Sequence, residues 1–197
     1  MKIDRIHHVA YRCRDARQTV LWYKEMLGMD FVLAIAEDRV PSTKEPDPYM
    51  HVFLDAGNGN VLAFFEIPSQ PPMGRDPNTP AWVQHIAFKV RDRDELLAYK
   101  THLESKGVEV LGITDHGAFH SIYFFDPNGH RVELACPDPD EATVMARLDA
   151  VKWQMLEEWS RTRRAPKHAD WLHRREFAGS EDAGSNAADA LRDHADA

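Results

Sequence analysis

Cysteine is scarce: only Cys13 and Cys136 are present, too few for a disulfide framework. Both sit in apolar, strand-like runs, where a free thiol reads as a small buried hydrophobe. Positive charge is also short, with 24 Lys and Arg against 32 Asp and Glu and a formal net charge of −8. That balance leaves nucleic acid binding without electrostatic support. The single basic run, Arg161–Arg164, reads as a solvated helix end. No apolar stretch approaches the ~20 residues a membrane span needs, and no secretory leader precedes the first strand-like run. The expectation is a reduced, cytoplasmic protein without membrane or nucleic acid partners.

What is present is ordinary globular material, with 43% hydrophobic and 28% charged residues over 197 positions. That length suits one substantial core or two small modules. An internal repeat decides between them. Ile6-His7-His8-Val9-Ala10-Tyr11-Arg12-Cys13-Arg14-Asp15 recurs as Val83-Gln84-His85-Ile86-Ala87-Phe88-Lys89-Val90-Arg91-Asp92. His8 and His85 occupy equivalent positions, 85 − 8 = 77 residues apart.

Each copy continues alike. The closing Asp is a helix N-cap candidate. Amphipathic segments follow over Ala16–Leu27 and Glu95–Lys106, stopped by Gly28 and Gly107. Three strand-like runs come next: Met29–Ala34, Met50–Leu54 and Val61–Ile67 in the first copy, then Glu109–Ile113, Ser121–Asp126 and Arg131–Cys136 in the second. Gly57-Asn58-Gly59-Asn60 and Asp126-Pro127-Asn128-Gly129 supply hairpin turns between the last two strands of each copy.

The expected fold is therefore α+β. Two βαβββ modules, 1–67 and 82–137 with a linker at 68–81, are related by pseudo-twofold symmetry and form a curved mixed sheet around a metal site. Residues 37–48 read as a long loop bordering a pocket. A helical extension follows over 138–177, with a helix at 141–161 carrying Val144, Leu148, Val151, Met155 and Trp159 on one stripe. The composition of 178–197 predicts a disordered tail.

Alternation along the first strand of each copy puts His8, Ala10 and Arg12, or His85, Ala87 and Lys89, on one face. Glu133 is an isolated carboxylate between Val132 and Leu134, and burying it is costly unless it is paired or metal-bound. Taken singly, each His reads as a packing histidine and Glu133 as an edge-strand surface residue. The equivalence of the two His favours a metal site of His8, His85 and Glu133. Two imidazoles and one carboxylate make the facial triad of non-haem Fe(II), with open positions for substrate and O₂.

With these residues in place, the chain resembles the vicinal oxygen chelate superfamily, which contains glyoxalase I, type I extradiol dioxygenases and fosfomycin- and bleomycin-resistance proteins. The resemblance covers residues ~3–137, and it implies metal ligands on the first and last strands of each module. The fourth position falls on Ala63. Glyoxalases carry a protein ligand there, whereas a three-ligand set is similar to the extradiol dioxygenases. Glu66 restores a fourth ligand only if the strand register shifts.

Thr114-Asp115-His116, five residues, then Ile122-Tyr123-x-x-Asp126-Pro127-x-Gly129, three residues and Glu133 resembles the extradiol ring-cleavage signature. The resemblance implies that His116 and Tyr123 line the substrate pocket as catalytic residues while Glu133 binds iron. His120 competes with His116 on a poorer spacing. A further family histidine, the acid-base for the catechol, maps to Asn60, which exchanges no proton near neutral pH. His51 is a substitute or an ordinary strand residue.

The leading expectation is an Fe(II)-dependent, alternatively Mn(II)-dependent, extradiol dioxygenase acting on a catechol-like aromatic with O₂. Phe64, Phe65, Trp82 and Phe124 are candidate pocket walls. The alternatives are a glyoxalase- or epimerase-like lyase or isomerase using Zn²⁺ or Ni²⁺ without O₂, and a small-molecule-binding resistance protein. The apolar stripe on the long helix points to a homodimer.

Overall fold

A computed structural model describes residues 2–172. The expected tail over 178–197 and the last part of the helical extension lie outside the described residues. The chain is α+β, with two four-stranded sheets of the same topology and a C-terminal helix.

The first sheet holds β1 (Val9–Cys13), β2 (Asp30–Arg39), β3 (Pro46–Asp55) and β4 (Val61–Glu66), with α1 (Ala16–Leu27) between β1 and β2. Its order is β1-β4-β3-β2, with β1 parallel to β4 and the other pairs antiparallel. The second holds β5 (His85–Lys89), β6 (Leu111–Asp115), β7 (Phe119–Phe125) and β8 (Arg131–Pro137), with α2 (Arg93–Ser105) after β5. Its order, β5-β8-β7-β6, repeats the first. The repeat read in the sequence is thus a repeat of topology.

Compactness divides the chain differently. One unit comprises Met1–Phe88, Thr101–Glu109 and Phe124–Val132. The other comprises Lys89–Lys100, Val110–Tyr123 and the chain from Glu133 onward.

Local chemistry accounts for the elements. Asp15 caps α1, its carboxylate accepting from Gln18 N at 2.7 Å, and Asp92 caps α2 by accepting from Glu95 N at 2.9 Å. In the first unit Tyr23, Leu54, Leu62 and Phe64 are at most 1% exposed, each worth roughly 1.5–3 kcal/mol over an exposed position for an aliphatic or Phe side chain. The turn at Asp126–Gly129 is anchored to α1. Asp126 accepts from Asn128 N, His130 N and the Tyr23 hydroxyl, while Asn128 bridges Thr19 and Arg14 N. Asp126 and Asn128 are buried, so these signature positions build the fold. Both cysteines are buried and free. Burial pushes the Cys13 thiol up to about 11.

Three expectations need correction. The long loop at 37–48 is a hairpin: β2 runs to Arg39, β3 starts at Pro46, and Arg39 pairs with Pro46. Pro46 and Pro48 are tolerated because β3 pairs β4 only from Met50 onward, leaving one edge of those residues without a ladder. Glu37, Asp38 and Pro48 do border a cleft of about 570 Å³, lined also by Asp15, Tyr49 and Glu66. β6 begins two residues later than expected, at Leu111. The register slips between Leu111 and Thr114 at Gly112, whose φ is +107° and where a Cβ would sit 2.7 Å from the Ser121 carbonyl oxygen. The third correction concerns the pocket walls. Phe64 and Phe124 are core residues, and Trp82 is 68% exposed.

The C-terminal helix α3 (Glu141–Thr162) places Val144 in the core, with Leu148, Val151 and Met155 half-buried on the expected stripe. Trp159 is exposed, as are Trp153 and Leu156. No helix among the described residues is long and apolar enough to cross a membrane.

Candidate functional site

Three of the expected site residues, His85, Tyr123 and Glu133, lie on strands of the second sheet. Alternation on β7 puts Ser121 and Tyr123 on one side of the strand, and the neighbouring strand β8 presents Glu133. Ser121 Oγ donates to Glu133 Oε1 at 2.5 Å, and the Tyr123 hydroxyl donates to the same oxygen at 3.1 Å. His116, just past the end of β6, reaches Tyr123 Oη with Nε2 at 2.7 Å. The structure therefore joins three of the five expected site residues into one hydrogen-bonded series, His116–Tyr123–Glu133. Glu133 is only 4% exposed, and two hydroxyls on one oxygen hold its carboxylate plane fixed. Ser121, 0% exposed, was missed at the sequence level. The signal that would have found it is its two-residue spacing from Tyr123.

Loop packing holds His116 in place. His116 N donates to the Phe119 carbonyl at 2.9 Å, and the two rings stack with centroids 4.8 Å apart. Gly117 has φ +75°, and the C-terminal segment lies directly against it. A Cβ there would come 2.6 Å from the Leu172 carbonyl oxygen. That segment is tied back to α3 by Arg147, whose guanidinium lies 3.6 Å from the Trp171 ring centroid.

In the other unit, His8 sits just before β1 and His85 opens β5, and both are exposed. His85 Nδ1 lies 3.1 Å from the Val83 carbonyl oxygen, a contact that orients the ring. The His8 ring neighbours Phe53 and His51, with centroids 5.9 and 6.1 Å away. His51 is 8% exposed and stacks on Phe65 at 3.6 Å; its Nε2 is buried without a hydrogen-bond partner. Burial, then the neighbouring His8, lowers the His51 pKa.

Ala63, 0% exposed, stands opposite Phe53 in the ladder and offers no ligand atom. Glu66 accepts from Ala16 N at 2.7 Å, so it serves the N-terminus of α1. Asn60 closes its own turn, donating from Nδ2 to the Gly57 carbonyl at 2.9 Å.

Comparison with known proteins bears on the family and the fold. The curated protein named "Putative ring-cleaving dioxygenase MhqA", of Bacillus subtilis (strain 168), is 29% identical over 141 residues, covering 70% of this chain and 42% of that protein. Biphenyl-2,3-diol 1,2-dioxygenase 2 of Rhodococcus globerulus is 36% identical over 78 residues, 37% of this chain and 41% of that one. The chain thus spans about two fifths of the length of these two relatives. Among solved structures, a glyoxylase/bleomycin resistance protein/dioxygenase domain from Frankia sp. EAN1pec aligns at a TM-score of 0.56 and 18% identity, covering 70% of this chain and all of that one. The fosfomycin resistance protein FosX from Listeria monocytogenes aligns at 0.52 and 20%, covering 71% and 98%. At such identities these two show the fold alone. The superfamily model matches residues 5–134, and the chain belongs to the Glyoxalase/Bleomycin resistance protein/Dioxygenase superfamily.

Proposed function

We propose that this chain is a metal-dependent extradiol-type dioxygenase opening a catechol-like aromatic ring. In this reading His8, His85 and Glu133 are the metal ligands, and His116 and Tyr123 are the catalytic pair. The bonded series His116–Tyr123–Glu133 carries the reading, because it links a proton-exchanging imidazole through a phenol to the carboxylate of the triad. The signature spacing around these residues, the ring-cleaving name of one relative and the diol dioxygenase name of another support it.

The donor set suits the ion: two imidazoles and one carboxylate favour Fe(II), with Mn(II) as the alternative. When bound, the ion supplies positive charge that favours ionisation of the substrate hydroxyls, and open positions for them and for O₂. The chain's own residues do the rest. Ser121 and Tyr123 fix the Glu133 carboxylate. With the Tyr123 hydrogen directed at Glu133, His116 Nε2–H donates to Tyr123 Oη, so the imidazole holds a transferable proton at the Tyr123 hydroxyl. Asn60 performs no such exchange. The lyase reading loses its fourth ligand, since Glu66 is engaged with α1.

Oxygen uptake by anaerobically purified, metal-analysed protein tests the proposal with catechol and 2,3-dihydroxybiphenyl as probes. The expected outcome is about one iron or manganese per chain, with catechol-dependent O₂ consumption and a ring-opened product. Zinc or nickel occupancy with no O₂ uptake sinks the reading.

A further inference from the structure

The two histidines read as metal ligands occupy equivalent columns of the repeat, yet their rings are held by different means. In the second copy His85 Nδ1 lies 3.1 Å from the Val83 carbonyl oxygen. A carbonyl only accepts, so Nδ1 carries the proton and the neutral ring keeps its lone pair on Nε2. In the first copy the same nitrogen turns to a side chain. His8 Nδ1 lies 2.8 Å from His7 Nδ1, with the two rings at 76°. The column of His7 holds Gln84 in the second copy.

A contact this short between two neutral imidazole nitrogens needs a hydrogen on one of them. If His7 donated, His8 would accept at Nδ1 and carry its own proton on Nε2, leaving no lone pair there for an ion. If His8 donates, Nε2 is bare. Two lines point to the second arrangement. It alone suits His8 as a ligand, and it gives His8 the tautomer that the Val83 carbonyl imposes on His85. The rings of Phe53 and His51 stand 5.9 and 6.1 Å from the His8 ring, centroid to centroid. Among the described residues, however, His7 alone hydrogen-bonds it. Both partners are exposed, so the bond adds little to stability. What it decides is which nitrogen holds the proton.

We infer that His7 is a positioning residue of the proposed metal site. Its Nδ1 accepts from His8 Nδ1–H, which fixes the ring and presents His8 Nε2 as the ligand atom. This role presupposes His8 as a ligand, whereas the tautomer belongs to the metal-free protein and can be read without an ion. Partners that hold the second ring nitrogen of a ligating histidine are worth about 10–100-fold in metal affinity or activity. The second copy assigns that task to backbone, so only in the first can a substitution remove the acceptor.

Two variants test the role. His7→Leu removes the acceptor, and His7→Gln restores one with the residue that the second copy carries in this column. Long-range ¹H–¹⁵N NMR of metal-free protein, at a pH where both rings are neutral, reads the His8 tautomer. Calorimetric titration with Mn²⁺ reads affinity. The expected result is an Nδ1–H tautomer for His8 in the parent and in His7→Gln, with the Nε2–H form gaining population in His7→Leu. Mn²⁺ affinity should fall about 10–100-fold in His7→Leu and recover in His7→Gln. An Nε2–H tautomer in the parent, or the same tautomer in parent and His7→Leu, overturns the role alone when the parent binds Mn²⁺. Equal Mn²⁺ affinity in parent and His7→Leu overturns it as well. A tautomer shift in a parent that binds no Mn²⁺ overturns both this role and the metal reading on which it rests.

Discussion

The two sheets share one topology and differ in what they place on it. In the first, the last strand offers Ala63 and the ladder sets Phe53 against it. In the second, the last strand offers Glu133, and the neighbouring strand answers with two hydroxyls, Ser121 and Tyr123. His51 in the first sheet is stacked with its Nε2 unpartnered, while His116 in the second is hydrogen-bonded to Tyr123. A duplicated frame has thus been specialised on one side. The lesson is that a buried carboxylate must arrive with its donors: Glu133 is viable at 4% exposure because its neighbours changed with it.

Breaking that asymmetry should have graded effects. Glu133→Gln removes the anionic ligand, and turnover should fall to background together with bound metal, read by O₂ uptake and elemental analysis. If His116 is the only proton-exchanging side chain, His116→Gln should cost ~10²–10⁴ in turnover, and His51→Phe should leave it within about tenfold. An equal loss in the two variants would return the acid-base role to the first sheet. Tyr123→Phe deletes one donor to Glu133 while keeping the ring, and should lower metal affinity or activity by about 10–100-fold. The smallest effect concerns pH and stability. The folded protein resists charging His51, so its unfolded chain binds the extra proton first as pH drops below the ordinary histidine range. Urea unfolding should therefore show stability declining with falling pH in the parent, and more shallowly in His51→Phe.

Much of this was legible beforehand, for identifiable reasons. Helix caps at Asp15 and Asp92, stops at Gly28 and Gly107, and the hairpin turns are local chemistry, so short-range rules found them. His116, Tyr123 and Glu133 were readable because their spacing encodes one loop and two paired strands. The β2–β3 hairpin was not, since Glu37-Asp38-Arg39 and the two prolines look like loop, and only pairing along a single edge makes them strand. The slip at Gly112 depends on how near Ser121 comes across the ladder. Ser121 looks like any small strand residue.

The contact between Gly117 and Leu172 has an evolutionary reading. A side chain at 117 and a carbonyl oxygen at 172 compete for the same space, so the two stretches of chain are not free to drift separately. A lineage that shortened its C-terminal extension would lift the steric bar at 117 and leave only the φ of +75°, which Asn or Asp tolerates best, whereas one that kept the extension would hold glycine there. Among homologues, the residue next to His116 should therefore report on the length of a segment more than fifty positions downstream.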